Sequence, residues 1–63
     1  MDPKVLREKR LALGLSQEKL ARLVDVSYGT VANWENGKSS PSTNHAVAIS
    51  KALDWPIAEM LAE

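Results

Sequence analysis

The chain has no cysteine, which removes disulfides, thiolate metal ligands and thiol nucleophiles together and leaves stability to helix packing and capping. That suits a reducing cytoplasm, where the protein is expected. Glycine and proline are scarce, three of each beside 44% hydrophobic residues, so the composition is that of a globular chain rather than a disordered or fibrous one. No apolar run approaches the roughly 18 residues that a membrane span needs, and Met1-Asp2-Pro3-Lys4 lacks the apolar core of a signal peptide. The chain reads as soluble and unexported, with no membrane partner. A surplus of charge is missing too: eight Lys+Arg cancel eight Asp+Glu, whereas a strongly basic domain is the usual footprint of nucleic-acid binding. The distribution is uneven, however. Residues 1–38 hold seven basic and five acidic side chains, while residues 39–63 set Lys51 against Asp54, Glu59 and Glu63. Any surface that faces a polyanion belongs to the first half.

With 63 residues the chain is read as one domain, 1–63, and at this size folding buries only about 60% of the unfolded surface. Little room remains for a catalytic cleft. No carboxylate pair, nucleophile–base pair or metal cluster stands out, so no catalytic or metal-ligating residue is nominated and no enzyme is expected. No cofactor or small-molecule ligand is implied.

What is present is helical punctuation. Asp2-Pro3 reads as an N-cap followed by proline at the first helical position, where its missing N–H costs nothing. Leu6, Arg10 and Leu13 fall at i, i+4 and i+7 on one face, and Gly14 can take the left-handed turn that ends a helix of about 3–13. Ser16 caps a second helix, about 17–24, with Leu20, Leu23 and Val24 as its apolar stripe. Only Asp25 and Val26 then separate it from Ser27, which caps a third helix running from Tyr28 to Glu35 and closing at Asn36-Gly37. So short a connection makes the two helices cross steeply, the geometry of a helix-turn-helix. Val31 and Trp34 face inward with Val26 plugging the turn; Ser27, Tyr28, Gly29, Ala32 and Asn33 are left outside. Ser42 or Thr43 caps a fourth helix, about 43–53, whose inner face is Ala46, Ile49, Ala52 and Leu53. Asp54-Trp55-Pro56 breaks it, and Pro56 opens a last short helix that returns Ile57, Met60 and Leu61 to the core. The fold expected is all-α, five helices, with Leu6, Leu13, Leu20, Val31, Trp34, Ile49 and Leu53 in one core.

The ordered set Leu-Ser-Gln-Glu-Lys-Leu-Ala at 15–21, Val-Ser at 26–27, Trp-Glu-Asn-Gly-Lys at 34–38, Pro-Ser at 41–42 and Ile-Ser-Lys-Ala-Leu at 49–53 resembles the lambdoid-phage repressor and Cro class of helix-turn-helix domains. The xenobiotic-response-element regulators are its large bacterial branch. The resemblance covers nearly the whole chain without a gap. It implies a compact five-helix repressor-like domain that binds double-stranded DNA and regulates transcription, with the third helix in the major groove. Carried over by position, Ser27, Tyr28, Gly29 and Asn33 face bases, and Gln17, Arg10, Asn36, Lys38, Thr43 and Asn44 face phosphates. The resemblance also pairs Arg10 with Glu35 beneath that surface, and a two-fold operator implies a homodimer on DNA.

Several residues carry a blander reading beside the sharp one. Arg10 can snorkel outward with only its stem packed. His45, the lone histidine, reads as a solvated surface residue at the start of the fourth helix. Trp34 reads as core, and Trp55 either covers the core edge or joins an interface, with packing favoured. The whole chain can also be an engineered or repurposed repressor-fold scaffold with weak or no DNA binding, a reading favoured by the balanced charge and by Gly29 in the reading helix.

Overall fold

The computed structural model describes residues 1–62. Five helices follow one another: α1 (Pro3–Ala12), α2 (Gln17–Leu23), α3 (Tyr28–Glu35), α4 (Thr43–Leu53) and α5 (Ile57–Leu61). No strand occurs among the described residues, and no helix is long and apolar enough to cross a membrane.

Each of the first four helices starts on a side-chain oxygen that accepts from an otherwise orphaned amide of the first turn. Asp2 accepts from the Lys4 N–H at 2.9 Å, Ser16 from Lys19 at 3.0 Å, Ser27 from Thr30 at 3.2 Å and Ser42 from His45 at 3.3 Å. Only α5, opened by Pro56, lacks a side-chain cap. The same four helices also end alike. A residue with φ between 50° and 74° follows each of them, Gly14, Asp25, Gly37 and Asp54, and the next amide reaches back five residues. Leu15 donates to the Arg10 carbonyl, Val26 to Ala21, Lys38 to Asn33 and Trp55 to Ser50, at 2.9–3.2 Å. These are Schellman turns. The tightest consequence lies between α2 and α3: the turn on Asp25 turns the chain sharply, tucks Val26 half-buried against the core and delivers Ser27 as the next cap.

The core is Leu6, Leu20, Ala21, Val24, Val31, Trp34, Ile49, Leu53, Trp55 and Met60. Leu13 is not in it. It is 52% exposed, because α1 stops at Ala12 and the turn on Gly14 swings the following chain inward, so Leu15 packs on the core instead. Leu23 likewise is 52% exposed, and α2 buries Leu20 and Ala21 with Val24 as its C-cap. Ile57 and Leu61 stay exposed too. A five-residue helix shows one narrow face to the core, and Met60 fills it. Trp55 is 1% exposed, buried behind the turn on Asp54, with its indole N–H lacking a hydrogen-bond partner among the described residues and the Lys9 ammonium 5.9 Å from its ring centre. His45 is not solvated as expected: it is half-buried, its ring 5.6 Å from that of Trp34 at a 50° tilt, so the first turn of α4 lies against the C-terminal half of α3.

Candidate nucleic-acid interface

α3 is amphipathic by contact rather than by hydropathy. Val31 and Trp34, three residues apart, are buried, which turns Tyr28, Gly29 and Asn33 outward, all exposed. Ala32 is half-buried at the edge of that face. Tyr28 is 58% exposed at the first turn. Gly29 has an ordinary helical backbone, and a Cβ built on it meets nothing within 4 Å; nothing inside the protein requires a glycine there. Ser27 is exposed, but its hydroxyl is engaged: it caps Thr30 and shares a 2.8 Å hydrogen bond with the Thr30 hydroxyl. Beyond the helix, Asn36 and Lys38 flank the turn on Gly37, and Thr43 and Asn44 form the first turn of α4, all four exposed.

Behind this face lies a polar cluster that ties three helices together. Arg10 is 6% exposed. Its Nε donates to Glu35 Oε2 at 2.7 Å, one terminal nitrogen donates to Glu35 Oε1 at 3.0 Å, and the other donates to the Leu15 carbonyl at 2.6 Å. Gln17 adds a further bond, its Nε2 donating to Glu35 Oε1 at 3.1 Å. Glu35 thus accepts three hydrogen bonds with a side chain only 3% exposed, which satisfies the charge-assisted bonding that a buried ion pair needs. The bond from Gln17 was not foreseen. It links two residues far apart in sequence, and only the crossing of α2 and α3 brings them together.

Above this cluster opens a cleft of about 490 Å³ lined by Arg7, Arg10, Ser16, Gln17, Glu18, Tyr28, Glu35 and Asn36. It brings Arg10, Gln17, Tyr28 and Asn36 to one place. Ser27, Gly29, Asn33, Lys38, Thr43 and Asn44 lie outside its lining. Arg7 is the member that motif matching passes over, and helical spacing could have found it, since it stands three residues before Arg10 on the same side of α1.

The match to the Helix-turn-helix family model spans residues 6–60. A transcriptional regulator of Methanothermobacter thermautotrophicus, itself uncharacterized, is 45% identical over 49 residues, 78% of this chain and 71% of its own length. An uncharacterized transcriptional regulator from the ATPase CF(0) region of Rhodospirillum rubrum is 40% identical over 52 residues, 82% of this chain and 48% of its own. A Methanocaldococcus jannaschii protein named for HTH-type transcriptional regulation is 39% identical over 90% of this chain, which spans only 18% of that relative. Among solved structures, the P22 c2 repressor in complex with a synthetic operator superposes with a TM-score of 0.84 at 29% identity, over 87% of this chain and 83% of that one. On this fold, this cleft and these matches, the chain belongs to the helix-turn-helix family, as a lambdoid repressor-like member of it.

Proposed function

We propose that the chain binds double-stranded DNA sequence-specifically, as the reading domain of a transcriptional regulator of repressor type, without enzymatic activity and in the cytoplasm. What carries the reading is the outward face of α3, where Tyr28, Gly29 and Asn33 are exposed on a helix held rigidly from behind by Val31, Trp34 and the Arg10–Glu35–Gln17 cluster. The likeness to a repressor solved on its operator supports it. A helix of this kind enters the major groove, where each base pair presents a distinct pattern of donors and acceptors. Asn33 is the reader, since a carboxamide bonds adenine N6 and N7 together. Tyr28 lies against a thymine methyl or reaches a phosphate, Gly29 admits close approach of the base edges, and Ser27 stands at the mouth of the groove. Gln17, Asn36, Lys38, Thr43 and Asn44 face the phosphates and set the register, with Arg10 beneath them, its nitrogens engaged by Glu35 and the Leu15 carbonyl. Two copies bound side by side on a two-fold operator give this small surface enough affinity.

Selection from a random duplex pool near 50 mM salt, followed by salt titration of the winning site, tests the reading. Asn33→Ala is expected to relax the preference at one base position by about 1–3 kcal/mol, and Lys38→Ala to weaken all sequences alike. If the pool yields no site at low salt, the chain is a repressor-fold scaffold and not a DNA reader.

A further inference from the structure

The cleft between α1, α2 and α3 carries four ionic side chains, two basic and two acidic, Arg7, Arg10, Glu18 and Glu35, and the ion pairs made here leave one of them unmatched. Arg10 and Glu35 sit 2.7 Å apart with side chains 7% and 3% exposed, so each compensates the other beneath the surface. Drawing Arg10 out toward a ligand would strand a buried carboxylate, a strongly unfavourable change. Glu18 is held by Arg22 at 2.9 Å on the exposed side of α2. Arg7 differs from all of these. It is exposed, it stands one turn before Arg10 on α1, and among the described residues it makes no ion pair.

We infer that Arg7 is the unpaired positive charge of this cleft and neutralises a phosphate of the bound duplex there, while Arg10 acts as a positioning residue that holds Gln17 and Glu35 in place. This rests on the DNA-binding reading of the preceding subsection. Counterion release follows the number of phosphates neutralised: an exposed, unpaired cation displaces a condensed ion when it reaches a phosphate, whereas a cation already matched by a buried carboxylate displaces little. Tyr28 lines the same cleft at the first residue of α3, so a phosphate seated beside Arg7 borders the groove that the reading helix enters. A guanidinium suits the place because its planar fork matches two phosphate oxygens at once.

The experiment compares the full chain with its R7Q, R7K and K38A variants, titrating each against a short fluorescent duplex of mixed sequence from roughly 50 to 200 mM salt. R7Q is expected to weaken binding to every sequence and to flatten the slope of log K against log salt by about 0.9 per protomer. R7K keeps the charge and retains the wild-type slope, which a purely structural role for Arg7 would not require. A wild-type slope in R7Q alongside a reduced slope in K38A overturns the inference and leaves DNA binding standing; so does an R7K slope as flat as that of R7Q. A wild-type chain that binds no duplex near 50 mM salt overturns the DNA-binding reading, and this inference with it.

Discussion

Arg10 spends hydrogen bonds from all three of its nitrogens on Glu35 and the Leu15 carbonyl, and this sets what its loss does. Replacing Arg10 alone by Met leaves Glu35 buried with one donor, Gln17, and is expected to cost about 3–5 kcal/mol. Replacing Arg10 and Glu35 together by apolar residues of similar volume is expected to be near neutral, and urea denaturation of the four proteins of the double-mutant cycle checks it. Absence of coupling in that cycle would show the pair to be a surface ornament despite its burial. Gly29 poses the opposite case, a residue with no internal reason to be what it is. Because a Cβ there meets nothing within 4 Å, Gly29→Ala is expected to stabilise the fold by about 1 kcal/mol. If glycine serves close approach of a base edge, the same variant binds duplex DNA more weakly. Thermal melting and a DNA titration read the two effects separately.

At the scale of the helix, the ends of α1 to α4 share one design with two different residues. Gly14 and Gly37 take the left-handed turn without penalty, whereas Asp25 and Asp54 take it with a side chain in place. Asp54 also sets a carboxylate at the negative end of the α4 dipole. Asp54→Gly is therefore expected to raise stability by up to about 1 kcal/mol, as relief of the left-handed strain and of the dipole together outweigh the added chain entropy. Asp25 holds the equivalent place after α2, so Asp25→Gly is expected to gain a similar amount. A fall in melting temperature for Asp54→Gly would mean that the aspartate stabilises the turn by a means other than those described.

For the whole molecule, size limits what it does alone. The described chain exposes 3990 Å², and a standard interface of about 800 Å² per partner would cover roughly a fifth of it. The large apolar side chains that remain exposed are spread over all five helices and their ends. Sedimentation is expected to show a monomer in the absence of DNA, and a tight dimer there would overturn this. The core has little redundancy either: Leu20 is fully buried on the helix that α3 packs against, and Leu20→Ala is expected to cost about 2–5 kcal/mol, a large share of what so small a domain possesses. Trp34 and Trp55, 2% and 1% exposed, supply the fluorescence change with which denaturation is followed.

The sequence by itself determined the helices and their order, because the devices that start and stop them are local. A serine oxygen reaches an amide three residues on, and a left-handed residue closes a turn within six, so Ser16, Ser27, Ser42, Gly14 and Gly37 can be read from neighbours alone. The outward face of α3 was legible for the same reason, since Val31 and Trp34 mark the inner side by spacing. Periodicity failed where a helix stopped sooner than its pattern: Leu13, Leu23 and Leu61 keep the helical spacing but lie at or beyond a terminus, where the chain turns off the face. Tertiary structure alone decided that Gln17 joins Arg10 on Glu35, that His45 rests on Trp34, that Trp55 is buried, and that Arg7 opens onto the same cleft as Tyr28. Each of these depends on segments distant in sequence coming together, and the angles at which the helices cross are set by the packing of the whole core, which no local run of residues specifies.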